Sequence, residues 1–286
     1  MHRALVVLLA ACTATAPVAV TSIASAPRAH DAPARPAGAL RVMSYNVNFG
    51  LEGDPQAIDA IAQAHPEIVL LQETTDTWRD VLVGGLPQLP HHHFVPPKDL
   101  PAGGIGVLSR YPIVSAEELP SVGGPFAALR VVIDAPGGRI QLLDVHLRPP
   151  MSDGGSWVVG FFSTRDVRER EIAWHAERLD RSLPKVIAGD FNEERGGLAL
   201  AVAERLGYTD AIAQWAGETR TWEWPVGSLT LRFQLDHILH DGCFVASAAG
   251  IVEAGRSDHK PIWADLERVD AALISAASGQ LGCSGR

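Results

Sequence analysis

Apolar runs alternate with amphipathic segments from about residue 39 to about residue 267, a pattern that predicts a single α/β domain over 39–268. Compact apolar runs predict strands at 40–47, 67–72, 105–109, 127–134, 139–147, 185–189, 229–240, 244–252 and 261–267. Apolar residues at helical spacing predict helices from Asp54-Pro55 to His65-Pro66 and at 75–83, 164–181 and 197–206. Glycine and proline favour loops at 84–104 and 148–163.

The first 26 residues have the pattern of an export signal. Met1-His2-Arg3 gives a basic start, residues 4–11 form an apolar run, and Ala24-Ser25-Ala26 has the small-x-small form of a cleavage site. The pattern predicts a secreted or periplasmic protein. The alternative is a membrane-anchored lipoprotein, because Leu9-Ala10-Ala11-Cys12 resembles a bacterial lipobox, in which Cys12 would carry the lipid and contact the membrane.

Two segments flank the predicted domain and add little to its core. Residues 27–38 are a Pro/Ala-rich tether, and residues 269–286 form a weakly patterned C-terminal tail. Once Cys12 is removed or lipidated, Cys243 and Cys283 remain as a pair. An oxidising compartment would permit a disulfide between them that fastens the tail, and two free thiols are the alternative.

The composition narrows the function classes. Hydrophobic residues make up 47% of the chain and charged residues 20%, which excludes wholesale disorder. The formal net charge of -9 argues against a protein that coats DNA non-specifically, because phosphate binding of that kind needs lysine and arginine. A nuclease that supplies positive charge through a bound metal ion stays compatible with this charge. The sequence gives no oligomer signal, so we expect a monomer.

Polar and ionisable residues follow or interrupt apolar runs at six places. They are Asn46, Glu73, Asp144 with His146, Asp190 with Asn192, Asp236 with His237, and Asp258 with His259. Any one of them fits a turn, a helix cap or a satisfied core histidine. Together they offer oxygen and imidazole ligands without a thiolate, which favours Mg²⁺ or Mn²⁺ over Zn²⁺. Carboxylates, amides and a hard cation also suit chemistry at a phosphoryl group.

A series of motifs resembles the endonuclease/exonuclease/phosphatase superfamily, which includes pancreatic-type DNases, abasic-site endonucleases and neutral sphingomyelinases. In chain order the motifs are SYNVN (44–48), LLQE (70–73), GVLSRYPI (106–113), DVHL (144–147), GDFN (189–192), LDHIL (235–239) and SDHKPI (257–262). The resemblance covers nearly everything from 40 to 267. The fold that it implies is a four-layered α/β sandwich, with two mixed β-sheets packed face to face and helices outside.

The resemblance implies a metal site. Glu73 matches the principal metal ligand of the family, with Asn46 beside it and Asp258 completing the set for Mg²⁺ or Mn²⁺. Abasic-site endonucleases carry an aspartate two residues after the first asparagine, where this chain has Asn48. The missing charge favours one metal ion over two.

The resemblance also implies catalytic roles. His259 matches the histidine that acts on the scissile phosphate, and Asp236 matches the carboxylate that orients it. Asp190 resembles the residue that orients or deprotonates the attacking water. Asn192 would hold a phosphate oxygen, and His146 falls where relatives carry a phosphate-contacting residue. Which of Asp190 and His259 is the base stays open at this point.

These roles predict an exported, divalent-metal-dependent phosphoesterase that hydrolyses phosphodiester bonds by in-line attack of water. We expect a nuclease acting on DNA or RNA. The alternative is a sphingomyelinase-like lipid phosphodiesterase or a phosphatase on a small phosphorylated ligand, and a non-catalytic binding protein is disfavoured because every residue that the chemistry needs is present. A basic groove at the site would favour nucleic acid, and an apolar rim near Trp157 would favour lipid.

Overall fold

The computed structural model describes residues 35–152 and 154–269. One mixed sheet contains six strands: β1 (Leu40–Asn46), β2 (Ile68–Gln72), β3 (His91–Val95), β4 (Ile105–Ser109), β13 (Phe244–Ile251) and β14 (Ile262–Arg268). Their spatial order is β13-β14-β1-β2-β4-β3. Only the β1–β2 pair within this sheet is parallel.

A second mixed sheet also contains six strands: β5 (Ile113–Leu119), β6 (Ala128–Ala135), β7 (Gly138–His146), β8 (Lys185–Asp190), β9 (Thr209–Asp210) and β12 (Asp236–His240). Their order is β5-β6-β7-β8-β12-β9, with β7 and β8 parallel. A separate two-stranded sheet is formed by β10 (Trp222–Val226) and β11 (Leu229–Phe233).

Successive side chains of the central strands pack on opposite faces of each sheet, and this alternation produces the layers. On β1, Val42 packs in the core between the two sheets, and Met43 packs on the other side. On β7, Leu142 belongs to the same inter-sheet core, whereas Leu143 packs on the opposite face of its sheet. Because both faces of these strands are buried, the strands appear in the sequence as continuous apolar runs.

Helices cover the outer faces of both sheets. These outer helices are α1 (Pro55–Ala64), α2 (Asp76–Gly85), α4 (Arg165–Ala176) and α5 (Leu198–Arg205). The short helix α3 (Trp157–Ser163) precedes α4, and α6 (Ala211–Trp215) packs through Ala211 and Ile212 in the core between the sheets. Residues of α1 and α2 pack on the first sheet, and residues of α4 and α5 pack on the second. The predicted four-layered α/β sandwich is confirmed.

Both predicted loops contain an element. The segment 84–104 includes strand β3, which pairs antiparallel with β4 along its whole length. This edge strand is half exposed and begins with three histidines, so it lacks the apolar run by which the other strands are recognised. The segment 148–163 includes helix α3, which begins after Ser156, whose side chain accepts a hydrogen bond from the Val159 amide.

The prediction of one strand over 229–240 was wrong. The chain leaves β11 at Phe233 and enters β12 at Asp236, and the two strands belong to different sheets. The sequence pattern does not reveal this break, because no glycine or proline separates the two strands. The connecting residues Gln234 and Leu235 are both buried, like the strand residues that follow them. The predicted helix at 164–181 is shorter in the structure, where α4 ends at Ala176.

Several predictions concern residues that the structure does not describe. The export signal over 1–26, Cys12, Cys283, and most of the tether and the tail lie outside the described residues. Cys243 is disulfide-bonded, which rules out a free thiol there, and its pairing with Cys283 stays a prediction. Within residues 35–152 and 154–269, no helix has both the length and the hydropathy of a membrane span.

Candidate active site

Strand register brings the predicted site residues together. The parallel β7–β8 pairing sets His146 opposite Asp190, and the antiparallel β8–β12 pairing sets Asp236 opposite Asp190 from the other side. In the first sheet, Glu73 directly follows the residue paired with Asn46. The motifs are therefore distant in the sequence but adjacent in space, because parallel strands end at the same edge of a sheet.

The Asp190 carboxylate is the centre of this cluster. Its Oδ2 atom lies 3.2 Å from Asn46 Nδ2, 3.5 Å from His146 Nε2 and 3.5 Å from His259 Nε2. Its Oδ1 atom accepts a hydrogen bond of 2.8 Å from the backbone amide of Asn192. Burial raises the pKa of Asp190 above its usual range, and the neighbouring carboxylates add to this effect.

Asp236 orients His259. The Nδ1 atom of His259 lies 2.9 Å from Asp236 Oδ2, which directs Nε2 towards Asp190. Burial opposes a charge on the imidazole, but the carboxylates of Asp236 and Asp190 outweigh it, so the pKa of His259 is raised. The backbone amide of Asp236 is itself held by Thr221 Oγ1 at 3.1 Å. The raised pKa favours the imidazolium form of His259.

The pKa of His146 is shifted in the opposite direction from that of His259. Burial lowers its pKa to about 3, and the charge of His259 contributes to the same shift. Its ring stacks on Phe126 with centroids 4.0 Å apart and an interplanar angle of 22°. One neutral and one charged imidazole thus point their Nε2 atoms at the same Asp190 oxygen, and pairs of this kind are typical of acid–base sites.

Glu73 lies at the edge of this cluster in a left-handed backbone conformation, with φ of 58°. Such a conformation in a residue with a side chain costs energy and concentrates at functional sites. Its Oε1 accepts from Asn46 Nδ2 at 3.0 Å, and its Oε2 accepts from the Phe49 amide at 3.2 Å. Burial raises the pKa of Glu73, and the negative charge of Asp258 acts in the same direction.

Asp258 is held by two neutral donors. Asn48 Nδ2 donates to Oδ1 at 2.8 Å, and Trp222 Nε1 donates to Oδ2 at 2.8 Å. An aspartate at position 48 would place a second negative charge against Asp258 in the same geometry. The asparagine that departs from the abasic-site endonuclease pattern therefore has a local structural reason.

Asn192 also adopts a left-handed conformation, with φ of 50°. Its backbone amide bonds to Asp190, and its Nδ2 donates to the carbonyl of Leu147 at 3.0 Å. The side chain thus connects the chain after β8 to the end of β7. It is fixed beside the cluster, where one amide hydrogen of Nδ2 remains beyond the bond to Leu147.

All eight predicted site residues lie in one region of the structure. The three residues whose ligand atoms lie closest together are, however, not the three predicted metal ligands. The predicted ligands are Asn46, Glu73 and Asp258. Among the described residues, the three whose ligand atoms all lie within 4.8 Å of one another are Asp190, Asp236 and His259. Asn46 turns its Nδ2 towards Glu73 and Asp190, and its Oδ1 accepts from the Asn48 amide at 3.1 Å.

Two aromatic residues of the site were missed as site residues. Phe126 precedes β6 in a segment without a motif, and only its stacking on His146 connects it to the site. Trp222 begins β10, forms a β-bridge with His259 and bonds to Asp258. A hydrogen bond to a residue 36 positions away has no local sequence signal.

Solved structures with this fold are numerous. An endonuclease/exonuclease/phosphatase from Beutenbergia cavernae superposes with a TM-score of 0.64 at 21% identity, covering 82% of this chain and 72% of that one. A family protein from Leptotrichia buccalis gives 0.63 at 16% identity, with coverage of 80% and 99%. TDP2 from D. rerio gives 0.61 at 17% identity, again with 80% and 99%. At these identities the likeness establishes the fold.

A comparison with curated proteins found no match. The sequence model of the Endonuclease/Exonuclease/phosphatase family matches residues 43–259. This match spans most of the described chain and contains all eight predicted site residues, from Asn46 to His259. The family consists of divalent-metal-dependent phosphoesterases, and the buried Asp190, Asp236 and His259 group is able to bind a metal ion. The chain belongs to the Endonuclease/Exonuclease/phosphatase family.

Proposed function

We propose that this protein is an exported phosphodiesterase that uses Mg²⁺ or Mn²⁺ and water to hydrolyse phosphodiester bonds. The observation that carries the proposal is the convergence on Asp190 Oδ2 of the Nε2 atoms of His146 and His259, each 3.5 Å away. A buried carboxylate between a neutral and a charged imidazole is an arrangement suited to moving a proton. Export rests on the N-terminal sequence pattern alone.

The donor set fits a hard divalent cation. Glu73 and Asp258 lie close enough for the charge of one to raise the pKa of the other, and Asp190 and Asp236 repel each other in the same way. His259 is the imidazolium that opposes this negative charge. We assign the ion to Glu73 and Asp258, with Asn46 adjacent, rather than to the Asp190, Asp236 and His259 group, because a protonated His259 has no lone pair to offer a metal ion. When bound, it would offset negative charge on the phosphoryl oxygens.

The chain's own residues supply the proton transfers. Asp190 Oδ2 accepts a proton from the attacking water, whose oxygen forms a bond to phosphorus. His259 Nε2, held by Asp236, donates to a phosphoryl oxygen and stabilises the charge that develops there. The bond from phosphorus to the leaving oxygen breaks, that oxygen takes a proton from solvent water to form the alcohol, and Asp190 returns the proton of the attacking water to solvent. The products are an alcohol and a phosphomonoester.

Nucleic acid is the substrate class that we predict from the sequence. The D. rerio TDP2 structure, which shares the fold, is of a complex with a single-stranded DNA product, and this supports the prediction. The nearby Lys260 is a weak phosphate-binding candidate, because its Nζ lies 2.6 Å from Glu253 and 3.3 Å from Glu223. A lipid phosphodiester is the second candidate, favoured by the apolar surface beside Trp222.

The deciding experiment measures hydrolysis of two substrates by the full chain. Supercoiled plasmid tests nuclease action, and bis(4-nitrophenyl) phosphate tests phosphodiester hydrolysis independently of the substrate class. Each assay is run with Mg²⁺, with Mn²⁺ and with EDTA. His259→Ala should abolish both activities, and His92→Ala, on the edge strand β3, should retain them. Hydrolysis of neither substrate by the unmodified chain would refute the proposed function.

A further inference from the structure

The hairpin of β10 and β11 is apolar on one face. Its register pairs Trp222 with Phe233, Trp224 with Leu231, and Val226 with Leu229, so that six apolar side chains share this face. The alternate positions, Glu223, Pro225, Thr230 and Arg232, fall on the other face. A half-buried strand pair of this composition normally packs its apolar face on a core.

The outer part of this apolar face is exposed instead. Trp224 is 46% exposed, Val226 50%, Leu229 70% and Leu231 39%. Phe162, on the short helix α3, is 68% exposed. A contiguous apolar surface of this kind on a soluble domain marks a binding site for apolar groups. The side chains of Trp157 and Val158 lie outside the described residues, so the predicted rim is represented here by Phe161 and Phe162.

A cavity of about 360 Å³ lies between the hairpin and α3. Phe161, Phe162, Leu231 and Phe233 line it, together with the buried Trp222. The Trp222 and Phe233 rings are nearly parallel, with centroids 5.9 Å apart. Ligand-binding cavities generally fall between about 300 and 1,000 Å³, so the space is large enough for part of a substrate.

The cavity shares the wall residue Trp222 with the catalytic cluster, the group of site residues around Asp190 and His259. Trp222 contributes its ring to the cavity wall and its Nε1 to the bond with Asp258. Leu235, another wall residue, immediately precedes Asp236. A molecule in the cavity therefore lies against Trp222 and Leu235, each of which is directly connected to a residue of the site.

We propose that this cavity and the adjoining apolar face bind the hydrocarbon chain of an amphiphilic phosphodiester while its phosphoryl group lies at Asp190 and His259. The assignment rests on the proposed phosphodiesterase activity and favours its second substrate candidate, a lipid phosphodiester, over nucleic acid. A nucleobase fits this surface less well, because the exposed Val226, Leu229 and Leu231 offer it neither an aromatic face to stack on nor a hydrogen-bonding side chain. A hydrocarbon chain leaves no polar atom unsatisfied and gains free energy with each methylene that it buries.

The test is a chain-length series in which only the hydrocarbon changes. Ethyl, butyl and octyl 4-nitrophenyl phosphate share the phosphodiester and the leaving group, and each is assayed as a monomer with Mn²⁺. Full burial of a methylene corresponds to about a fourfold gain in binding. Because the cavity is open to solvent, we expect kcat/KM to rise about 30-fold from ethyl to octyl. Values of kcat/KM that do not depend on chain length would overturn the proposal.

A matched pair of variants locates the effect. Leu231→Ser removes one apolar wall residue at an exposed position and should lower the octyl-to-ethyl ratio of kcat/KM at least about threefold, because it shortens the apolar contact. Leu206→Ser makes the same change at another exposed leucine, at the end of α5, and should keep the ratio. An equal fall in both variants would overturn the assignment of this cavity.

Binding without turnover separates the proposal from the proposed function. Tryptophan fluorescence is recorded in EDTA while hexyl- or decylphosphocholine is added below its micellar concentration. Tighter binding of the decyl compound, together with no hydrolysis of any diester, would retain the cavity and refute the phosphodiesterase. Hydrolysis of plasmid without any chain-length effect in binding or rate would overturn the cavity and favour nucleic acid.

The same assays distinguish whether the hydrocarbon chain of the substrate comes from a lipid surface or from a soluble molecule. The octyl diester is compared as a free monomer and at equal total concentration in phosphatidylcholine vesicles. A higher rate with vesicles indicates that the apolar face receives the chain from a lipid surface, and a higher rate with the monomer indicates a soluble amphiphile. Both results keep the hydrocarbon assignment, provided that Leu231→Ser lowers the faster rate.

Discussion

Two neighbouring regions of this molecule differ in almost every physical respect. The catalytic cluster is polar, buried and held by hydrogen bonds between strands of both sheets, such as that from Asn46 to Asp190. The hairpin beside it is apolar and exposed, and its two strands form a sheet of their own. Trp222 belongs to both, because its indole Nε1 bonds to Asp258 and its ring lines the apolar cavity.

We assign different functions to the two regions: the catalytic cluster carries out hydrolysis, and the hairpin selects the substrate. Residues that transfer protons must be held within a few tenths of an ångström, and central strands supply that rigidity. Residues that select an apolar group need area and shape, which a hairpin and a short helix provide. Changes in the cluster should therefore lower kcat for every substrate, whereas changes in the hairpin should alter the ranking of substrates.

The largest effect is expected from Asp190→Asn. The change keeps the size of the side chain but removes the charge that faces both imidazoles, so the attacking water loses its base. We expect kcat for bis(4-nitrophenyl) phosphate to fall about 1,000-fold or more. Asp134→Asn, at an exposed position on β6, is the matched control and should retain normal turnover. A fall of less than about tenfold in Asp190→Asn would exclude Asp190 as the base.

The next effect concerns the metal ion. Glu73→Gln removes one negative charge from the site assigned to the ion, so Mn²⁺ binding measured by calorimetry without substrate should weaken about 10- to 100-fold. Glu204→Gln, on the exposed side of α5, should bind Mn²⁺ normally. Normal Mn²⁺ affinity in Glu73→Gln with weakened affinity in Asp236→Asn would assign the ion to the Asp190, Asp236 and His259 group instead.

Trp222→Phe tests the residue that connects the two regions. Phenylalanine keeps an aromatic wall for the cavity but cannot donate to Asp258 Oδ2. A lost hydrogen bond to a charged group corresponds to about 1.5–3 kcal/mol, so we expect kcat to fall roughly tenfold or more. The octyl-to-ethyl ratio of kcat/KM should stay near its original value. A changed ratio with unchanged kcat would show that Trp222 serves only the apolar region.

The same comparison explains what the sequence could predict. Central strands such as β2 and β8 are buried on both faces, so their apolar runs and the polar residues at their ends are visible without a structure. The family motifs lie on these strands, and the fold and the gathering of the eight predicted site residues were foreseen for that reason. Edge and peripheral elements, such as β3, α3 and the hairpin, have mixed exposure and no such signal.

The sequence could not predict the side-chain contacts across the site, and the reason is different. The bond from Trp222 to Asp258 and the stacking of Phe126 on His146 join residues that the motifs do not place in register. The protonation contrast between His146 and His259 arises from burial and from nearby carboxylates, and neither is a property of the residue type. Asn192 was assigned to phosphate, yet its side chain also bonds to Leu147.

The smallest effect on turnover is expected from a buried histidine that lies outside both regions and contributes to stability instead. His175, on α4, is 2% exposed, and burial lowers its pKa to about 4, with a contribution from the charge of Arg178. The pKa of the unfolded chain is higher, about 6.5, so the unfolded state binds the proton first as the pH falls. The free energy of unfolding should therefore decrease between about pH 6.5 and pH 4 by on the order of 2 kcal/mol from this residue.

Chemical denaturation at pH 7.5 and pH 4.5 measures this contribution, with His175→Gln as the comparison. The variant should lose less stability than the original chain over that interval, while its kcat at pH 7.5 stays normal because His175 is not part of the catalytic cluster. Burial and a lowered pKa are shared by His175 and His146, so they cannot by themselves define an active site. What distinguishes His146 is its contact with Asp190, and a large loss of kcat in His175→Gln would contradict that distinction.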